Sequence, residues 1–246
     1  MPRGVPDSRQ AILSAAAAEF AARGFAGAGV DRIARHARVN KAMIYYHFRN
    51  KAHLYREIVR DMFAAIGART GAVASSRLAP AGKLDGFIEA IVAEARVRPH
   101  LPPLMMREAA EGGQRLDADI LRIILGVFAN LERILDEGAR RRVFKRVDPI
   151  LMYFTLVGPI VMYLAGAPVR RRIGRLQTPI VARTDASTLR RHLTAFGDVG
   201  ALGDHLKAAA RRALRPDSAA RRRARQTPGH SPASRRHAAL RYGDQA

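Results

Sequence analysis

The stretch Val30–Leu54, VDRIARHARVNKAMIYYHFRNKAHL, reads as two short helices joined by a tight turn, with a third starting directly after. In the first, Val30, Ile33, Ala34 and Ala37 share one face at helical spacing, while Arg32, Arg35 and His36 point away. Asn40 is a good N-cap, so a second helix is predicted from Lys41 to about His47. On it Ala42 and Tyr45 lie on one face and Ile44 and Phe48 on another, which sends Phe48 to the core. Asn50 offers a new cap and Lys51 opens the third helix. Helices of about two turns bury too little surface to be stable alone. With basic, aromatic and amide side chains turned outward, the pair points to helix-turn-helix DNA binding.

The support lies just upstream. Asp7 is placed to cap a helix, with Gln10 reaching back three residues on, and Ile12, Leu13, Ala16, Ala17 and Phe20 form an apolar stripe that Gly24 ends. Downstream, Leu54, Ile58, Met62 and Ile66 keep the same spacing, so the third motif helix is predicted to run to about Gly67 and to join this head to the rest of the chain.

Over its first sixty residues the chain resembles the TetR family of bacterial transcriptional regulators. The matching positions are Ile12, Leu13, Ala15, Ala16, Phe20 and Gly24, then Ile33, Ala34, Ala37 and Val39, then Tyr-Tyr-His-Phe-x-x-Lys-x-x-Leu over Tyr45–Leu54. Two positions depart from the pattern. Gly29 stands where many members carry a capping Thr, and Arg38 stands where many carry a turn Gly, which predicts a strained or differently shaped turn.

Composition bounds the rest. With 246 residues the chain has room for two domains, and with no cysteine it has neither disulfides nor thiolate metal sites, which suits a reducing cytosol. The run Ala11–Ala18 follows Asp7 and lacks a cleavage pattern, so it is not read as a secretory signal. The net charge of +22 is unevenly spread: +6 over residues 1–55, +3 over 56–165 and +13 over 166–246. A near-neutral body between two basic ends suits a polyanionic partner such as DNA.

Residues 67–82 are small and polar and read as a loop or a loosely helical connection. Leu84, Phe87, Ile88, Ile91, Val92 and Ala95 then mark an amphipathic helix stopped by Pro99, and Pro102-Pro103 start a shorter one stopped by Gly112-Gly113. A long helix is predicted from about Asp117 to Arg142, with acids at its start and arginines at its end to complement the helix dipole. Asp148-Pro149 opens Ile150–Ala165, which is apolar almost all round and therefore expected to be buried. It is about sixteen residues long and interrupted by Gly158-Pro159, whereas a membrane span needs roughly twenty, so it reads as a core or subunit-interface helix. Leu189, Leu193 and Phe196 suggest one further helix, and Leu202, Leu206, Ala209 and Ala213 another. From Arg215 the chain is rich in Arg, Ser, Pro and Ala, a composition expected to be disordered.

The expectation is an all-α protein. It comprises a three-helix DNA-binding head (1–66), a larger helical ligand-binding and dimerisation body (67–213) and a basic tail (214–246). The family resemblance implies a DNA-binding set of Val30, Asn40, Lys41, Ala42, Tyr45, Tyr46, His47 and Lys51. Of these, Lys41, Ala42 and Tyr45 face the bases or groove wall, and Tyr46, His47 and Lys51 the phosphates. It also implies a two-fold homodimer through the last two long helices, with Ile124, Leu131, Ile134, Val157 and Val161 as interface candidates. Phe87, Ile91, Met105, Met106, Phe128, Met152 and Tyr153 are candidates to line a cavity for an apolar small-molecule effector.

No phosphate-cradling glycine loop, nucleophile elbow or HExxH occurs, and His47 and His53 lack the spacing to share a metal on one helix face, so neither an enzyme nor a metal or cofactor site is expected. The function expected is a cytoplasmic, nucleoid-associated repressor of a palindromic operator. The alternative is a ligand-independent architectural DNA-binding protein that uses the basic tail. A cavity in the body distinguishes the two.

Overall fold

Side-chain caps set the N-termini of four helices. In the computed structural model, which describes residues 8–173, 175 and 199–216, the described residues form helices and no strands. The head is α1 (Ser8–Gly27), α2 (Val30–Ala37), α3 (Lys41–His47) and the start of α4 (Lys51–Ser75). The body continues with α5 (Pro80–Val97), α6 (Leu101–Ala110), α7 (Ala118–Arg140), α8 (Pro149–Ala165), α9 (Ala167–Ile173) and α10 (Val199–Ala213). Three predicted caps form: Asn40 accepts from the Ala42 N–H at 2.9 Å, Asn50 from His53 at 2.8 Å and Asp148 from Ile150 at 2.8 Å; Asp117, expected only to complement the helix dipole, also caps, accepting from Ile120 at 3.0 Å. Gly24 breaks α1 with a positive φ of 71°, after which one more turn forms. Asp7, Leu189, Leu193 and Phe196 lie outside the described residues.

Residues 67–75, which composition leaves between a loop and a loosely helical connection, extend α4 by two turns. Gly67 and Gly71 lie against α7: a Cβ at Gly67 would touch Ile123 and Val127 at 3.9 Å, and one at Gly71 the Asn130 amide at 3.5 Å. Between them, Thr70 donates to the Ile66 carbonyl at 2.8 Å and accepts from Asn130 Nδ2 at 3.0 Å. The small residues let two long helices approach closely, so packing outweighs their low helix propensity.

A continuous core runs from Ile12 in α1 to Leu214 just after α10. The helix α10 packs on α5 and α8 through Val199, Leu206 and Ala210, and Lys207 and Arg211 pair with Glu89 and Asp85 of α5. Leu214, placed at the head of the tail by composition, is fully buried and its carbonyl accepts from the Lys145 N–H at 2.9 Å. Of the tail, only Leu214–Pro216 fall within the described residues.

The helix α8 corrects an expectation. It is not buried on all sides: Met152, Leu156, Ile160 and Leu164 face inward, but Ile150, Leu151, Phe154 and Met162 are exposed. On the neighbouring α7, Leu121 and Leu125 are exposed as well. No single helix among the described residues is long and apolar enough to cross a membrane.

Candidate nucleic-acid interface and body cavity

The support for the recognition helix is polar as well as apolar. Ile33, Ala34, Ile44 and Phe48 are buried against Ile12, Ala16 and Leu54, which fixes α2 and α3 on α1 and α4. Gly29 offers no side-chain cap to α2, and Glu19 of α1 compensates by accepting from Arg32 Nε at 2.5 Å and from the Gly29 N–H at 3.4 Å. Burial raises the Glu19 pKa, but the Arg32 and Gly29 hydrogen bonds and the charges of Arg32 and Arg23 outweigh it, so the carboxyl is held below its usual range.

The turn between α2 and α3 closes on Arg38, which sits in the left-handed region at φ 56°, ψ 40°. Its N–H donates to the Arg35 carbonyl at 3.2 Å and that of Val39 to Ala34 at 3.0 Å, the two bonds of a Schellman cap. A side chain in this conformation costs about 1–2 kcal/mol, part of which glycine's greater freedom in the unfolded chain cancels. We expect Arg38→Gly to stabilise the protein by about 0.5–1 kcal/mol, seen as a rise in melting temperature. A fall would mean that the arginine side chain contributes more than its backbone strain removes.

Outward from this frame, Lys41, Ala42, Tyr45 and Tyr46 are exposed, with Tyr46 the most open at 79 %. Lys41 Nζ pairs with Asp31 Oδ1 of α2 at 2.8 Å, a hydrogen bond and charge pair that lower the Asp31 pKa and raise that of Lys41. Arg35, His36, Arg38 and Arg49 are exposed around the same surface. They had no place in the candidate set because nothing in their spacing separates a groove-facing cation from a solvated one.

The other expected contacts are turned differently. Val30 is half-buried at the start of α2 and packs on the core, and Asn40 is exposed but used as the α3 cap. His47 is half-buried, its Nε2 2.8 Å from the Ser8 hydroxyl. Lys51 bends back to donate to the Ala26 carbonyl at 3.3 Å and lies 4.8 Å from the Phe25 ring centroid. Desolvation first, then the charges of Arg115 and Arg32, depress its pKa. His47 and Lys51 thus tie α3 and α4 to α1.

In the body, α4 to α8 line a cavity of about 790 Å³ that opens to the surface beside the exposed Phe154 and Met162. Five of the seven cavity candidates line it: Ile91, Met105, Met106, Phe128 and Tyr153. The other two do not. Phe87 is fully buried in the core and Met152 is buried on the inward face of α8. The Phe128 and Tyr153 rings meet at a tilt of 31° with centroids 4.0 Å apart, and burial pushes the Tyr153 hydroxyl pKa up to about 12. Three interface candidates, Ile124, Val157 and Val161, line this cavity too. The remaining two, Leu131 and Ile134, are at 0 % exposure inside the single chain. No partner can reach them, so the α7 stripe read as a seam is the protomer's own core.

The one charged residue on the cavity wall is Glu108, and it is already committed. Buried at 2 % exposure, it accepts from the Tyr55 hydroxyl at 2.5 Å and from the Arg115 N–H at 3.0 Å. Burial and this carboxylate hold the phenol protonated well above its usual range. Nothing in the sequence marks the pair, since the residues are 53 apart and each on an ordinary helix. It joins α4 of the head to α6 of the body.

Residues 12–58 match the profile of bacterial regulatory proteins of the tetR family. The transcriptional repressor SCO4008 of Streptomyces coelicolor is 33 % identical over 109 residues, 44 % of this chain and 53 % of the repressor, so the match spans about half of that relative's length. Among solved structures, SCO4942 of Streptomyces coelicolor is similar at 27 % identity and a TM-score of 0.57, covering 85 % of this chain and 100 % of that one. The ketosteroid transcriptional regulator KstR2 of Mycobacterium tuberculosis superposes with a TM-score of 0.62 over 87 % of this chain and 97 % of its own. At 19 % identity, that likeness is one of fold.

Proposed function

We propose that this chain, whose residues 12–58 match the tetR-family profile, is a dimeric transcriptional repressor of that family, released from DNA by an apolar small molecule. It is a regulator by family, not an enzyme. The observation that carries the reading is the exposed row Lys41, Ala42, Tyr45 and Tyr46 on a buttressed recognition helix. Lys41 suits a guanine edge, Ala42 a thymine methyl and the tyrosine hydroxyls the phosphates. To reach DNA, Lys41 exchanges Asp31 for a base or phosphate, a low barrier for so exposed a pair.

The dimer uses the face that α7 and α8 leave open: Leu121 and Leu125 on one helix, Leu151, Phe154 and Met162 on the other. Gly126 and Gly158 have open space above them on these helices, room for another helix to approach closely. A second copy seated there places two heads about one turn of DNA apart, ~34–36 Å, on a palindromic operator. The cavity favours this reading over a ligand-independent architectural protein. Its volume falls within the roughly 300–1,000 Å³ of small-molecule sites, and its walls are apolar. A ligand that binds one head spacing better shifts the population away from the DNA-competent one. The protein then acts in the cytoplasm, on nucleoid DNA.

Replacing Lys41 or Tyr45 by Ala is expected to weaken operator binding by about 1–3 kcal/mol each, roughly 5- to 150-fold, with an unchanged melting temperature. Fluorescence anisotropy on DNA flanking the gene measures this. Full affinity in both variants would take α3 out of the major groove.

A further inference from the structure

Beside the cavity lies a second space, a groove of about 740 Å³ where the head meets the body. Ala18, Ala21 and Ala22 of α1 form one wall, and α6, α8 and α9 the others. Met106 and Met162 line both spaces, so two flexible thioether side chains are common to their walls. Their chemistry differs. Among the described residues, the cavity wall is apolar with one carboxylate, already satisfied, whereas the groove is lined by Arg107, Arg171 and His100 and by no acid. Arg107 donates to the carbonyls of Ala21 at 3.2 Å and Ala22 at 3.1 Å, neutral acceptors on α1. Arg171 is exposed and has no carboxylate partner among the described residues, and its neighbour Arg170 carries a like charge.

From this juxtaposition we infer that the effector is an amphipathic acid, with its apolar part in the cavity and its carboxylate between Arg171 and Arg107 in the groove. The inference rests on the cavity being the effector site. A carboxylate offers the guanidinium an opposite full charge and a bidentate pair of acceptors, which a neutral carbonyl does not. A carboxylate in the groove therefore competes with Ala21 and Ala22 for the Arg107 guanidinium. Arg107 is the clasp between α6, which lines the cavity, and α1, which carries the recognition helix. Loosening it lets the head leave the orientation that DNA requires.

The test titrates the full chain with dodecanoate and with dodecan-1-ol, equal in apolar length and different only in charge. Binding is read by calorimetry and operator release by anisotropy. The acid is expected to bind about tenfold tighter or better and to release DNA. Arg171→Gln is expected to bring its affinity down towards that of the alcohol while leaving alcohol binding unchanged. If acid and alcohol bind equally well, the anion subsite is wrong and the cavity reading stands. If neither binds, both fall. An acid preference that survives Arg171→Gln and Arg107→Gln alike would also overturn the proposal, because the groove cations would then not be what reads the charge.

Discussion

Phe154→Glu is expected to give a folded monomer that has lost operator binding, while Leu131→Glu is expected to give no folded protein at all. Phe154 is 60 % exposed on α8, so in the isolated chain a carboxylate there remains in water. In a symmetric dimer two such charges, one from each copy, would be desolvated without partners, at a cost of several kcal/mol each. A monomer engages one half-site and forfeits the effective-concentration gain of two linked heads, on the order of 10²–10⁴ in affinity. Leu131 has no exposure even in one chain, so its replacement puts an unpaired charge into the core. Sedimentation velocity with circular dichroism separates the two outcomes. A Phe154→Glu protein that still sediments as a dimer would move the interface elsewhere. A folded monomer from Leu131→Glu would show that α7 packs the other way round.

Glu108→Ala is expected to lower stability by about 3–5 kcal/mol, the usual cost of leaving buried partners of a charge unpaired. The Tyr55 hydroxyl and the Arg115 N–H both lose their acceptor, and the phenol has no water to turn to. Glu108→Gln keeps an oxygen in place for both and is expected to cost about 1–2 kcal/mol, since only the charge-assisted part is lost. Urea denaturation with linear extrapolation measures both. A loss below about 1 kcal/mol for the alanine variant would mean that head and body are joined by apolar packing and the Arg107 clasp, not by this carboxylate.

What the chain determined by itself is local. The caps at Asn40, Asn50, Asp117 and Asp148 all form, because an N-cap needs only a short side chain and the N–H groups two or three residues on. The division of α3 into a buried edge, Ile44 and Phe48, and an open one, Lys41, Ala42 and Tyr45, follows from helical spacing alone. Tertiary structure decided whatever depends on which other helix arrives. Gly67 and Gly71 are loop signals until α7 lies against them, and then they are points of close approach. Leu131, Val157 and Phe154 are all large and apolar at helical spacing. Leu131 is core, Val157 lines the cavity half-buried, and Phe154 lines it while standing 60 % exposed. Hydrophobicity records that a side chain leaves water, not which neighbour replaces the water, because the effect is non-directional and scales with area.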